Sequence, residues 1–153
     1  MDTNGNGAYD GPNGVWDGPG CTAVNCVKSP NIWVKLKIQF TGNINICTLS
    51  PAGSFTVGDG GFIDYVVTVS DGNGNYPVPG TIIAVTQAGG TLLGQTSFTV
   101  PDAVSFAPFQ RTVRLADTAT SDVAFQGSIT LSVTPPAGGP TACIGPTLYG
   151  IFQ

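Results

Sequence analysis

No histidine and no glutamate occur anywhere in the 153 residues. That absence removes nucleophile–base pairs of the Ser-His and Cys-His kind. A pair of carboxylates for glycoside hydrolysis would have to be drawn from aspartate alone. All nine aspartates but Asp64 stand at or near turn signals. Asp64 interrupts "FIDYVVTV" on its outward side, where it reads as a solvated strand residue. The chain is therefore expected not to be an enzyme. Charge of either sign is also scarce, at 9% of residues against roughly 25% in an average soluble protein. The five cations, Lys28, Lys35, Lys37, Arg111 and Arg114, form no dense stripe, and the net charge is −4. A phosphate backbone needs such a stripe, so nucleic acid is not an expected partner. No apolar run approaches the roughly 18 residues of a spanning helix. The start "MDTNGN" has no signal-peptide pattern. Met1 is the only methionine and reads as a start codon placed on a segment of something longer.

What remains is turn chemistry and strand chemistry. There are 22 glycines and 12 prolines, few strong helix formers, and abundant Thr, Val and Ile, a balance that predicts an all-β fold. Hydrophobicity alternates with a period of two, the sign of half-buried strands. In 32–40, Ile32, Val34, Leu36, Ile38 and Phe40 alternate with Trp33, Lys35, Lys37 and Gln39. A short strand is expected through Ile44, Ile46 and Leu49, ending at Pro51. Ile63, Tyr65, Val67 and Val69 share one face of the next. "TIIAVTQ" reads as a strand, "TLLGQTSFTV" as one or two. "FQRTVRLAD" puts Phe109, Val113 and Leu115 on one face, with Arg111 the exception. In "DVAFQGSITLSVTPP", Val123, Phe125, Ile129, Leu131 and Val133 are expected inside, and Gln126, Ser128, Thr130 and Ser132 outside. "LYGIFQ" is a closing strand. Seven to nine strands separated by regular turn signals predict an antiparallel sandwich.

The stretch 48–94, "TLSPAGSFTVGDGGFIDYVVTVSDGNGNYPVPGTIIAVTQAGGTLLG", resembles the bacterial immunoglobulin-like (Big-type) domains of surface proteins. Three features carry the resemblance: a Ser-Pro ahead of a "TVGDGG" turn, a "VVTVSD" strand running into "DGNGNYPVPG", and a "GGTLLG" segment. Family members commonly read D-x-x-G-N-P-V-P-G at the connection, where this chain inserts Tyr76. The resemblance implies an immunoglobulin-like sandwich of a kind found in tandem arrays on bacterial surfaces, and it brings no catalytic residues. Residues 31–153 are accordingly read as the sandwich and residues 1–30 as a Gly/Asn/Asp-rich calcium-binding linker.

Cys21, Cys26, Cys47 and Cys143 permit three pairings. Cys21 and Cys26, in "CTAVNC", are close enough for a small loop. Pairing Cys47 with Cys143 would tie the start of the main domain to its end and contribute on the order of 4–5 kcal/mol in the chain-entropy picture. Zinc is the rival, but C-x4-C with two isolated partners and no histidine is a poor zinc pattern. Disulfides, and hence an oxidising compartment, are the expectation.

The calcium expectation rests on the opening tract. Asp2, Asn4 and Asn6 stand at i, i+2 and i+4, Gly7 follows, and Asp10 falls at the ninth position of the loop. This is the front of a D-x-[DN]-x-[DN]-G calcium loop. Six to eight oxygens must converge at about 2.3–2.6 Å on such an ion. Alternate side chains of a tightly wound loop do so, the glycine permits the bend, and the Ala8 carbonyl adds an oxygen. The twelfth position, Asn13, lacks the EF-hand's glutamate, and no helix flanks the loop. The tract instead resembles the helix-free calcium loops of thrombospondin type 3 repeats, and the dockerin-like D-x-N-x-N-G pattern. "NGAYD" recurs as "NGVWD", so Asp17 is expected to complete the site, with Tyr9 and Trp16 packing on the neighbouring sandwich to anchor the loop. The rival reading is a plain linker. A second such string, Asp71, Asn73 and Asn75, has Tyr76 where the glycine belongs and reads as a turn.

These strands of argument predict a non-enzymatic extracellular structural or adhesion module of a bacterial surface or secreted protein. Calcium would stiffen its front end, as in a tandem array or fibre, and its partners would be neighbouring domains or subunits of the same protein. The alternative is a carbohydrate-binding sandwich, with Trp33, Tyr76 and Tyr149 as candidate rings for a glycan.

Overall fold

The computed structural model describes residues 40–103, 105–120 and 123–153. Nine strands follow one another: β1 (Ile44–Ser50), β2 (Phe55–Val57), β3 (Phe62–Asp71), β4 (Ile82–Ala88), β5 (Thr91–Leu93), β6 (Ser97–Thr99), β7 (Phe109–Ala116), β8 (Phe125–Thr134) and β9 (Thr147–Phe152). No helix occurs among the described residues. One sheet has the order β1-β3-β7-β5 and the other β2-β9-β8-β4-β6. With β2 and β6 set aside, the seven remaining strands are arranged as first, second, fifth and fourth against third, sixth and seventh, the strand order of the immunoglobulin sandwich. β6 adds to the β4 edge. β2 adds to β9 and is the one parallel pairing between the nine described strands. That direction arises because the chain crosses from one sheet to the other between β1 and β2.

The period-two pattern is what closes the sandwich. From the four-stranded sheet Leu49, Tyr65, Val67, Val69, Val113 and Leu115 point inward. From the five-stranded sheet Phe55, Val57, Ile83, Val85, Ile129, Leu131 and Phe152 meet them, all essentially removed from solvent. Each such side chain contributes roughly 1.5–3 kcal/mol by burial, against the ordering entropy of the chain.

Aromatic rings run through this core as a connected row. Phe125 stacks on Phe152 at 5.1 Å, Phe152 meets Phe55 edge-on at 5.5 Å, and Phe55 meets Tyr65 at 6.4 Å. The rings need room, and glycine supplies it. Gly127 and Gly150 face each other across the β8–β9 ladder. A Cβ on Gly127 would collide with the Phe152 ring and lie 2.6 Å from the Ala88 carbonyl oxygen, and one on Gly150 would collide with the Phe55 ring.

Two inward assignments from the sequence, Val123 and Phe125, are corrected, and β1 carries an irregularity. Ile46 is 37% exposed because a register shift between Ile44 and Ile46 places an extra residue in β1. After it, Cys47 and Leu49 take the inward places, opposite Val69 and Val67. Val123 is 87% exposed, lying ahead of β8 where no facing sheet covers it. Phe125 keeps 36% of its surface in solvent, since the rim of the sandwich covers only the face stacked on Phe152. Arg111 shares the parity of Phe109 and Val113 yet stays exposed. Its guanidinium carbon sits 5.3 Å from the Phe109 ring centroid, and Nη1 donates to the Gln110 carbonyl.

Cys47 and Cys143, 96 positions apart in sequence, form a disulfide with Cα atoms 6.1 Å apart. Backbone bonds support it. The Ile44 N–H donates to the Thr141 carbonyl (2.9 Å) and the Cys143 N–H to the Ile44 carbonyl (2.7 Å). The segment before β9 is thereby laid parallel against the start of β1.

Candidate functional site

The residues expected to hold calcium, Asp2, Asn4, Asn6, Ala8, Asp10 and Asp17, lie outside the described residues, as do Cys21, Cys26 and Trp33. Of the sequence-derived sites, the Cys47–Cys143 pair, the second D-x-N-x-N string, Asp64, Tyr76 and Tyr149 lie within them.

The string at 71–75 is a turn, and its chemistry shows why it is not a cation loop. Asp71 is 1% exposed. Its Oδ1 accepts the N–H groups of Asn73 (2.9 Å) and Asn75 (2.8 Å). Its Oδ2 accepts the Asn75 side-chain amide (3.0 Å) and the Gly42 N–H (3.2 Å). A carboxylate has about four lone-pair sites, and here four N–H donors take them. Burial alone would push this carboxyl up. The bonds from the Asn75 side chain and from the Asn75, Gly42 and Asn73 backbones outweigh it and hold the group at about 2. Gly74, at φ +81°, lets the chain reverse. The connection then ends in a type II turn, Val78-Pro79-Gly80-Thr81. Proline sits at its second place, Gly80 at φ +84° at its third, and the Thr81 N–H donates to the Val78 carbonyl.

Tyr76 is not a free ring for a ligand. It is half-buried against the core, with its ring 5.9 Å from Phe109, and its carbonyl accepts the Thr41 hydroxyl. Asp64 lies on the outer face as expected and is paired. Arg114, directly opposite on β7, grips it with two bonds of 2.7 and 2.8 Å and lies 3.7 Å over the Phe62 ring. The side-chain bond from Arg114 lowers the Asp64 carboxyl and reciprocally raises the guanidinium. Asp117 is 3% exposed. Its Oδ1 accepts the Ala119 N–H, while Oδ2 is buried without a partner among the described residues. No group of three or more Cys or Asp converges around it or elsewhere among the described residues.

Tyr149 is different, with 70% of its surface in solvent. It stands on the outer face of the five-stranded sheet, opposite Ser128, with Ile151 opposite Gln126 one step along the ladder. Gln126, Gly127, Tyr149, Gly150 and Ile151 line a shallow cavity of about 290 Å³. Beyond it the face continues as hydroxyls. Thr147, Thr130 and Thr86 are in register across three strands, and the Thr130 and Thr147 hydroxyls are hydrogen-bonded at 3.0 Å. Among the described residues no charged side chain stands on this face: Arg111 and Arg114 are both on β7 in the other sheet. Tyr149 was legible in the sequence as a candidate ring. Gln126 and Ile151 were not, because only the β8–β9 register sets them beside it.

The strand order defines an immunoglobulin-like β-sandwich. No protein-family model and no curated protein matches the sequence. Among solved structures, the chain is similar to that of a mutant of the SrpA adhesin from Streptococcus sanguinis, with a TM-score of 0.38 and 15% identity. The likeness covers 75% of this chain and 57% of that one.

Proposed function

We propose that this chain is a non-enzymatic, load-bearing module of an extracellular bacterial protein, a rigid sandwich set in a tandem array. The observation that supports this best is the Cys47–Cys143 tie. Tension applied along the chain enters through the residues before β1 and leaves through β9. The disulfide joins the two routes, so the 96-residue loop between the cysteines is bypassed and the core is shielded from being drawn out. A disulfide persists in an oxidising compartment, which fits a surface or secreted location. The lack of histidine and glutamate agrees with a structural role.

Single-molecule pulling on the chain between flanking handles tests this. Under oxidising conditions the loop stays closed. Under reductant the unfolding step lengthens by about 30 nm, the reach of 96 residues at about 3.4 Å each. Equal step lengths in both conditions would refute the load path.

The calcium loop at Asp2, Asn4, Asn6, Ala8, Asp10 and Asp17 belongs to the same proposal. Oxygens closing on one ion would fix the angle at which a neighbouring domain joins the sandwich. Affinity in the range of extracellular modules, about 10⁻⁴–10⁻³ M, is expected. Amide NMR of the full chain in millimolar calcium should show dispersed, protected signals for residues 2–18 that collapse on chelation. Spectra unchanged by the ion would leave the tract as a plain linker.

A further inference from the structure

We propose that the outer face of the five-stranded sheet, where Tyr149, Ile151 and Gln126 line a shallow cavity and Ser128 stands opposite Tyr149, binds a neutral saccharide. This goes beyond the load-bearing reading and stands independently of it and of the calcium loop.

The chemistry of the four side chains is that of a sugar site. A pyranose ring has one face of C–H groups and a rim of hydroxyls. Tyr149 offers an exposed ring for the C–H face, held on a strand rather than a loop. Ile151, two residues along, extends the apolar strip on the same side. Gln126 and Ser128, across the ladder, supply an amide and a hydroxyl that both donate and accept, as a sugar hydroxyl does. Between the two rows the floor is the backbone of the Gly127–Gly150 pair. The volume, about 290 Å³, is at the lower edge of small-molecule sites, which start near 300 Å³, and suits one or two rings.

Charge decides which saccharide. A sialylated, uronic or sulfated glycan brings an anion that needs a cation or convergent N–H donors. Among the described residues this face offers no cation, and the two arginines belong to the opposite sheet. An acidic glycan would lose water around its anion without compensation. A second copy of the chain is a poorer occupant. The exposed apolar side chains of β8, β9 and β4 on this side are Tyr149, Ile151 and Ile82, set among threonines and serines. A stable interface needs about 800 Å² per partner with a more apolar centre.

An array of neutral oligosaccharides terminating in glucose, galactose, mannose or N-acetylhexosamine, printed beside sialylated and sulfated ones, tests the site with the full chain. Retention on at least one neutral class is expected. Tyr149→Ala and Gln126→Ala should each reduce it tenfold or more at unchanged melting temperature, and Tyr149→Phe should keep most of it. Amide shifts on adding the retained sugar should centre on Gln126, Ser128, Tyr149 and Ile151, which decides the matter even if one variant folds poorly. Retention only on acidic glycans, no retention on any, indifference to both alanine variants, or a dimer abolished by Tyr149→Ala would each overturn the proposal.

Discussion

Asp71 shows how one side chain can close a connection from within. It ends β3, and its carboxylate collects backbone N–H groups from both sides of the turn and from Gly42, which precedes β1. The folded state holds this proton far less readily than the unfolded chain, at about 2 against an ordinary value of 3.8. A group depressed in this way stabilises fully above the ordinary carboxylate range and loses its contribution as pH falls through the folded value. The chain should therefore lose stability between about pH 4 and pH 2. Asp71→Asn should cost roughly 1–3 kcal/mol at neutral pH, because an amide nitrogen now faces N–H donors. The same variant should flatten the acid limb of a urea-midpoint-versus-pH curve, and an unchanged limb would count against Asp71 as its source. Arg114 and Asp64 belong to the same scale but act at the surface, where two bonds and the Phe62 ring orient the arginine. Exposed pairs of this kind contribute little to stability.

The pairing of β8 with β9 is set by small residues as much as by large ones. Phe152 reaches the core because Gly127 and Gly90 leave space for its ring, while Gly150, opposite Gly127, leaves space for Phe55. Gly127→Ala forces either the ring or the Ala88 carbonyl to move. It should destabilise by about 1–3 kcal/mol, the range for overpacking, with a lower denaturation midpoint and changed amide shifts along β4, β8 and β9. Wild-type stability in that variant would mean the ring relocates freely. The sheet edges follow a related logic. Three of the four edge strands, β2, β5 and β6, are three residues long, and the fourth, β1, has its start occupied by the segment 141–143. Short or covered edges offer little template for strand addition.

At the scale of the molecule, those edges bear on assembly. A fibre built by lending a strand to a neighbour needs a long free edge, and those left among the described residues, the later part of β1 and the stretch of β7 that β5 does not reach, are short. Sedimentation velocity across micromolar to near-millimolar concentration should therefore show a monomer throughout. A concentration-dependent series of larger species would point to a fibre. The sandwich, its two ends tied by Cys47–Cys143, is better suited to standing in a row of domains than to exchanging strands with them.

Composition and the period-two pattern determined the all-β class, nearly every strand and most of the core, because inside-outside alternation is a local property that any pleated strand displays. The turn at Asp71 was legible for the same reason: its donors lie within four residues, save Gly42. Local pattern could not reveal the extra residue that turns Ile46 outward, or the rim position that leaves Phe125 half in solvent. Nor could it choose among the three cysteine pairings. Each of those depends on which distant strand lies alongside. The Tyr149 site was half visible: the ring could be named from the sequence, but Gln126 and Ser128 are more than twenty residues away along the chain. Only the register of β8 on β9, where a glycine pair makes room for the Phe152 and Phe55 rings, brings them to its side.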